Sequence, residues 1–246
     1  IHIYYDYDEN GVERDDSSNG WFIGKAANEI WYYETDGVWQ NTPEDIKQAA
    51  LVGQKPGDPK VVNNYTEDDK ILSDGTRVPV YNDKDKTFLG PQTPPIYWNM
   101  RNDFEWKDFT FAFSLYSYMG HKSLSGNWLN QDNGGSQVTN CFNMPDKKYW
   151  TPDNPTNDYC RLDAKGPNTG LAGGVSKLYN RSFLRLDNIS VGYTLPREMT
   201  RKFMVDRIHL TFSCNNVFTI SGWEYGDPET GGFATRTFNF GVNVTL

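Results

Sequence analysis

The stretch "TFNFGVNVTL" (237–246) alternates apolar and polar side chains without a break. Phe238, Phe240, Val242 and Val244 share one parity, and the residues between them are Asn or Gly. Successive side chains of a β-strand point to opposite faces, so this period of two predicts a strand with one apolar face. A soluble β-sandwich would show the same alternation. The choice between water and lipid therefore depends on the rest of the chain.

Four further runs have strand character, so the sequence predicts five strands in all. In the run that contains Asp187 and Asn188, the apolar parity changes at those two residues, which predicts a β-bulge. The predicted strands are 96–105, 109–118, 183–194, 208–220 and 235–246.

The connections between these strands differ in length from one end of the predicted sheet to the other. Residues 106–108 and 195–207 are short links, whereas 120–181 and 221–234 are long ones. Short turns that alternate with long loops are typical of an outer-membrane β-barrel, with the turns in the periplasm and the loops outside.

This alternation also predicts an orientation. The C-terminus would be periplasmic, and the long stretch 6–95 would be a third, large extracellular loop. Residues 1–5 would then be the end of a preceding barrel strand. Within the large loop, "TPEDIKQAALVG" (42–53) predicts a brief helix that begins after Thr42.

Seven stretches occur in an order that is found in a known family. They resemble the C-terminal part of the SusC/RagA-like family of TonB-dependent outer-membrane transporters, and the resemblance covers nearly the whole chain. Residues 62–69 depart from an Asp-rich segment that is frequent in the family, and Leu246 stands where Phe is more usual. The matching stretches are "WFIGKAANEIWYYETDGVWQ" (21–40), "PGDPK" (56–60), "DKDKTFLG" (83–90), "YWTPDNP" (149–155), "SFLRLDNISVGYTLP" (182–196), "NNVFTISGWEYGDPE" (215–229) and "RTFNFGVNVTL" (236–246).

The resemblance implies an all-β chain. It would be a transmembrane antiparallel β-barrel segment, the last five strands of a large plugged barrel, in the outer membrane of a Gram-negative bacterium. The expected function is part of the import of oligomeric nutrients, glycans or peptides. The expected partners are the remainder of the barrel and its plug, a SusD-like surface lipoprotein, the lipid bilayer, and TonB through an N-terminal part that is missing here.

Composition excludes several other classes. The 246 residues carry a formal net charge of −8 and the pI is near 4.9, which argues against a nucleic-acid partner, because phosphates require a basic surface. The mean hydropathy is −0.71, and no run of 18 apolar residues predicts a transmembrane helix.

The histidines give no support to a catalytic site. His2, His121 and His209 lie in three separate elements, and no nucleophile elbow, zinc-protease motif or phosphate-binding glycine loop is present. We therefore assign no catalytic residue and no cofactor.

One segment has oxygen ligands at alternate positions, as calcium loops do. Asn82, Asp83 and Asp85 form this segment, and Asp74 lies nearby. The glycine turn and the distal Glu of a complete calcium loop are missing, so the sequence favours a plain acidic turn.

Large aromatic residues are frequent in the predicted loops. Two interpretations stay open: the rings face a partner or a ligand, or they pack the loops' own core. The rings concerned include Trp31, Tyr33, Trp39, Trp150 and Trp223.

Cys141 and Cys160 fall in one predicted extracellular loop. Because the outer membrane borders an oxidising space, a disulfide between them is an open hypothesis. Cys214 lies within a predicted strand, where it acts as a small apolar residue.

Two other functions are compatible with the composition. One is a secreted glycan-binding β-sandwich whose loop aromatics bind the ligand. The other is an extracellular carbohydrate-active enzyme.

Overall fold

The computed structural model describes residues 6–125, 131–132, 135–136 and 147–246. Residues 1–5, predicted to end a preceding strand, lie outside the described residues. The chain divides into two compact units. Unit 1 runs to Gln92 and includes Ser123–Tyr179, and unit 2 comprises Thr93–Lys122 and Asn180–Leu246.

Short strands dominate unit 1, and long strands dominate unit 2. The helices are α1 (Pro43–Leu51) and α2 (Arg197–Thr200). The strands are β1 (Asp6–Tyr7), β2 (Glu13–Arg14), β3 (Glu29–Tyr32), β4 (Thr35–Val38), β5 (Pro59–Val61), β6 (Lys70–Ile71), β7 (Arg77–Val78), β8 (Thr87–Pro91), β9 (Ile96–Trp106), β10 (Phe109–Met119), β11 (Lys122–Ser125), β12 (Gln131–Asp132), β13 (Gly135–Ser136), β14 (Lys177–Asn180), β15 (Phe183–Thr194), β16 (Arg207–Ser221) and β17 (Thr237–Thr245).

Unit 2 is a five-stranded antiparallel sheet in the order β17-β16-β15-β10-β9, which confirms the five predicted strands. β9 and β10 are joined by Lys107 and Asp108 alone, and Lys107 has a left-handed φ of 54°. Tight two-residue hairpin turns need such positive φ values. α2 and one 3-10 turn make up most of the link between β15 and β16.

The predicted bulge lies where the sequence places it. Leu186 pairs with Leu115 and Asn188 with Ser114, so Asp187 is an extra residue in β15. The pairing with β16 shifts at the same level, near Asn216, whose φ is 52°. The bulge keeps apolar side chains on one face of the sheet on both sides of the interruption.

Unit 1 shows that the stretches predicted as loops contain regular structure and a core of their own. Short two-stranded sheets, such as β3 with β8 and β4 with β5, support this core. Its buried residues come from segments that are far apart in sequence, namely Tyr33, Val38, Val52, Val61, Tyr81, Trp150, Cys160, Ala164 and Val175.

Helix α1 begins where the sequence predicts. The Thr42 side chain accepts a hydrogen bond of 3.2 Å from the Asp45 N–H, and Pro43 occupies the start of the helix. The first-turn acids Glu44 and Asp45 favour this end of the helix dipole. Across the described residues, no helix has the length and apolar character needed to cross a membrane.

A buried ion pair fastens the two segments of unit 1. Arg161 donates to Asp58 Oδ1 at 2.8 Å from Nε and at 2.7 Å from its terminal nitrogen. The backbone N–H groups of Lys55 and Lys165 also donate to the Asp58 carboxylate. The Asp58 side chain is 2% exposed, so its charge depends on these donors.

Candidate functional site: the two faces of the five-stranded sheet

One face of the sheet in unit 2 is apolar and exposed. On β17, Phe240 is 70% exposed and Val242 is 51% exposed, and Phe238 and Val244 share their parity. The face continues across the sheet through cross-strand neighbours. These are Ile208, Leu210, Phe212, Ile189, Val191, Tyr193, Phe109, Phe111, Phe113, Phe104 and Trp106.

Exposure on this scale is unusual for a protein surface in water, where contiguous apolar patches rarely exceed a few hundred square ångströms. The rings on this face pack against one another. Phe104 and Phe111 stack with centroids 6.1 Å apart, and Phe109 lies 4.5 Å from Tyr193. Trp106, beside the short turn, is 67% exposed.

The opposite face is polar and carries small side chains over its middle. Asn239 pairs with Ser213, and Ser213 pairs with Ser190. Gly192 sits where a Cβ atom would meet Thr110 Oγ1 at 2.3 Å. The lack of a side chain at Gly192 therefore lets Thr110 occupy that space.

Arg185 is the centre of a cluster on this polar face. It is 7% exposed, and its Nε donates to Thr219 Oγ1 at 3.0 Å. One terminal nitrogen donates to Glu229 at 2.9 Å and to Tyr116 Oη at 3.0 Å, and the other donates to Asp227. Tyr116 in turn donates to Glu229 at 2.7 Å. The guanidinium is thus shared by two carboxylates and two hydroxyl groups.

Asp227 and Glu229 belong to the connection between β16 and β17, which we call the β16–β17 loop (222–236). Burial acts to raise the pKa of Asp227. The N–H groups of Thr230 and Glu229 and the charge of Arg185 outweigh this effect and lower the pKa below its usual range. Asp227 therefore stays ionised at neutral pH and holds the loop to the sheet.

A second arginine fastens the same loop. Arg181 Nε donates to the carbonyl of Pro228 at 2.6 Å, and its guanidinium lies 5.2 Å from the Trp223 ring. Trp223 is half-buried, and its Nε1 donates to the Tyr225 carbonyl at 3.0 Å. Sequence reasoning missed both arginines. The available signal was a charged residue, Arg185, in a strand whose polar face is otherwise mostly uncharged.

The loop aromatics of unit 1 occupy different environments. Tyr33, Trp39 and Trp150 are buried, and Trp39 Nε1 donates to Gln54 Oε1 at 3.0 Å. Burial favours the packing interpretation for these three rings. Trp31 is half-buried, and Lys86 Nζ lies 4.6 Å from its ring centroid.

Backbone N–H groups form hydrogen bonds with the buried carboxylate of the acidic turn at 82–85. The buried Asp85 carboxylate accepts from the N–H groups of Asn64, Tyr65 and Asn82 at 3.1, 3.0 and 2.9 Å. Its oxygens therefore face hydrogen-bond donors, which is the wrong environment for a cation ligand. Within the ranges that the structure describes, no group of three or more His, Cys, Asp or Glu side chains is arranged to hold a metal ion.

Cys160 is completely buried in unit 1, and burial raises the pKa of its thiol. Cys141 lies outside the described residues, so the Cys141–Cys160 disulfide stays a prediction.

Comparison with known proteins gives consistent relatives. No family model matches the chain. It is 25% identical over 209 residues to TonB-dependent receptor P3 of Formosa agariphila, a match that covers 84% of this chain and 19% of the receptor. It is 23% identical over 152 residues to TonB-dependent receptor P39 of the same organism, covering 60% of this chain and 14% of that protein. The chain thus spans about a fifth or less of the length of these relatives.

Solved structures share the fold. The RagAB peptide transporter superposes with a TM-score of 0.59 at 20% identity, over 94% of this chain and 24% of the other. The RagAB peptide importer in its open-open state gives 0.58 at 19% identity, over 92% and 23%. The relatives found by sequence and by fold bear the names of a receptor and an importer. In sequence the chain is similar to part of these TonB-dependent receptors, and in fold it is similar to part of the RagAB transporter.

Proposed function

We propose that this chain forms part of the wall of an outer-membrane, TonB-dependent importer of oligomeric nutrients. The observation that carries the proposal is the sheet of unit 2, which has one continuous apolar face and one polar face. In a barrel wall, the apolar face contacts lipid and the polar face lines the lumen.

Strand length supports this role. β9 and β10 have 11 residues each, β15 has 12 and β17 has 9. A tilted strand needs about 9 to 11 residues to cross the hydrocarbon region. β9 and β17 are the edges of the sheet. Lipid does not satisfy unpaired backbone groups, so these edges pair with further strands of the complete barrel.

The lengths of the connections support one orientation for this proposal. The two-residue turn at Lys107–Asp108 and the link that contains α2 face the periplasm, together with the C-terminus. The stretches 6–95, 120–181 and 221–234 are extracellular, and most of the first two form unit 1. A stretch of this size on the outer side of a barrel has room to act in nutrient capture.

The partners in this proposal are a SusD-like surface lipoprotein, the remaining barrel and plug, and TonB, which acts through that remainder. The half-buried rings Trp31 and Trp223 are the loop aromatics still placed to contact a partner or ligand. The structural relatives are named as a peptide importer and transporter, which supports peptides over glycans as the imported oligomer.

Cysteine labelling in intact cells tests membrane placement and orientation. Asp74→Cys lies in the exposed turn between β6 and β7, and Asp108→Cys lies in the turn between β9 and β10. A membrane-impermeant maleimide should label the first variant in intact cells and the second only after the outer membrane is permeabilised. The unmodified protein measures the background from its own cysteines. The reverse order of labelling contradicts the orientation, and recovery of the protein in the soluble fraction contradicts the barrel.

The lipoprotein partnership has a separate test. Trp31→Ser removes a half-buried ring from unit 1, and Ile71→Ser removes a 59% exposed apolar side chain from the same unit. Large aromatic residues dominate interface energetics, so the first change should reduce co-purification of the lipoprotein and the second should not. Equal recovery with both variants removes Trp31 from the interface.

A further inference from the structure

The polar face of unit 2 carries a cavity of about 550 Å³. It lies on β9 and β10, towards the end of the sheet from which the long connections emerge. Ligand sites are usually clefts of about 300 to 1,000 Å³, so the size suits a small group or a part of a longer ligand. Its lining includes Tyr97, Arg101, Tyr116, Tyr118, Asp187 and Glu229.

Tyrosine rings form one side of the cavity. Tyr97 and Tyr118 meet edge to face with centroids 4.7 Å apart, and Tyr116 lies 5.6 Å from Tyr118. Tyr116 is fixed by its hydrogen bonds to Arg185 and Glu229, while Tyr97 is 55% exposed. The faces of such rings carry partial negative charge and attract cations.

The β-bulge adds a carboxylate to this aromatic group. Asp187 is the extra residue of β15, and it is exposed and lines the cavity. Bulges often redirect a side chain beside a functional site. Within the part of the chain that the structure describes, the Asp187 side chain forms no hydrogen bond and no ion pair.

The arginines at the cavity already have carboxylate partners. Arg101 forms two hydrogen bonds of 3.0 Å with Asp103, and Arg185 is held by Asp227 and Glu229. Two arginines and four carboxylates, with Asp187 as the fourth, give these residues a net charge of −2, and Arg181, which contacts the Glu229 carbonyl beside them, brings the region to −1. An anionic ligand would find both guanidinium groups occupied, whereas a cation would find a free carboxylate beside exposed rings.

We propose that this cavity binds a cationic group, an ammonium or a guanidinium, carried by an oligopeptide that enters the barrel. This inference rests on the proposed function as an importer, and it specifies a chemical class of ligand and a site. Asp187 pairs with the charge, and the faces of the Tyr97 and Tyr118 rings contact the cationic group. The group is either the N-terminal ammonium of the peptide or the side chain of a Lys or Arg residue.

Binding to the complete transporter, purified in detergent, tests the proposal. Four probes would be titrated by calorimetry at low and at moderate salt: acetyl-Gly-Gly-Lys-Gly-Gly-amide, its norleucine analogue, unblocked pentaglycine, and a neutral maltohexaose. The norleucine analogue keeps the aliphatic chain and removes the charge. Pentaglycine separates an N-terminal ammonium from a side-chain ammonium.

We expect the lysine peptide, pentaglycine or both to bind. If the site binds the side-chain ammonium, the norleucine analogue should bind about fivefold more weakly than the lysine peptide. Added salt should reduce this difference in affinity. Asp187→Asn should weaken binding of the charged probe about fivefold. Tyr97→Leu should weaken it about threefold. Asp206→Asn removes the same charge from an exposed residue near the periplasmic end and should change nothing.

Several results would overturn the proposal. In the first, the lysine peptide binds no better than its norleucine analogue and pentaglycine does not bind. In the second, Asp187→Asn and Asp206→Asn have equal effects on binding. In the third, maltohexaose binds and its binding is lost in the Asp187→Asn variant. Absence of binding by every probe also overturns it. The labelling experiment with Asp74→Cys and Asp108→Cys reports on the barrel independently, so the cation site can fail while the proposed function stands.

Discussion

Replacing Val242 by arginine is the most direct test of which face of the sheet meets lipid. Val242 lies on the exposed apolar face of β17 and pairs with Leu210. Its neighbour Asn243 lies on the polar face and pairs with His209. Asn243→Arg is therefore a matched control, because it introduces the same side chain one residue away on the same strand.

The expected magnitude depends on depth. The nine residues of β17 rise about 3.4 Å each, and with a tilt of about 40° they span about 23 Å. This span matches the apolar band of about 25 Å that surrounds such barrels. Val242 lies three residues from Thr245, so in the proposed orientation it would lie about 8 Å inside the periplasmic boundary and about 4 Å from the midplane.

An arginine on the lipid face costs about 2 to 4 kcal/mol at the midplane and about 0 to 1 kcal/mol near the boundary. For Val242→Arg we expect about 2 kcal/mol, which lowers the ratio of folded to unfolded protein roughly 30-fold. For Asn243→Arg we expect a change within about 0.5 kcal/mol, because the proposed barrel would have this side chain in the lumen.

The measurement is urea-induced unfolding of the complete barrel in phosphatidylcholine vesicles, compared by the free energy of unfolding. Folding of each variant is checked beforehand by its resistance to SDS at low temperature. A similar cost at both positions, or a greater cost at Asn243, would refute the assignment of the apolar face to lipid.

Three further predictions concern the loops. Arg185→Met leaves the buried Asp227 carboxylate without its cation, at a cost of about 3–5 kcal/mol. Hydrogen exchange in the β16–β17 loop should therefore accelerate. Arg197→Met, at an exposed arginine, should leave the exchange rate of this loop unchanged. Burial and the nearby carboxylates raise the pKa of Tyr81 to about 12. The stability that this raised pKa contributes is complete below pH 10 and is lost as pH rises through 12. Tyr81→Phe should remove this loss from the alkaline unfolding curves of unit 1, and an unchanged curve would contradict the prediction. If Cys141 and Cys160 form a disulfide, a thiol-reactive mass tag should label one cysteine in denatured, unreduced protein, and three labelled thiols would exclude the bond.

The sequence predicts the sheet well because the sheet obeys local rules. The alternation around Phe240, the change of parity at Asp187 and the cap at Thr42 each depend on neighbours within a few residues. These features are therefore visible without any knowledge of the fold. The five strands were predicted to within two residues at either end.

The remaining features depend on contacts that no local pattern reports. Arg185 finds Asp227 and Glu229 more than forty residues away, and the cavity exists only where β9, β10 and β15 lie side by side. The burial of the loop aromatics also depends on residues that are distant in sequence. Trp150 packs with Tyr33 in a core that is assembled from two separate segments, so sequence alone left packing and partner contact as equal alternatives.

The ion pair between Asp58 and Arg161 has a consequence for synthesis of the chain. Its two residues are separated by 103 positions, and the hairpin of β9 and β10 lies between them in sequence. Asp58 therefore has no cationic partner until the residues of this hairpin and Arg161 have all been synthesised. Each unit thus contains an interval that belongs to the other. Formation of the ion pair closes a loop of 103 residues that includes strands of the other unit, and such non-local contacts are costly in chain entropy and slow to form.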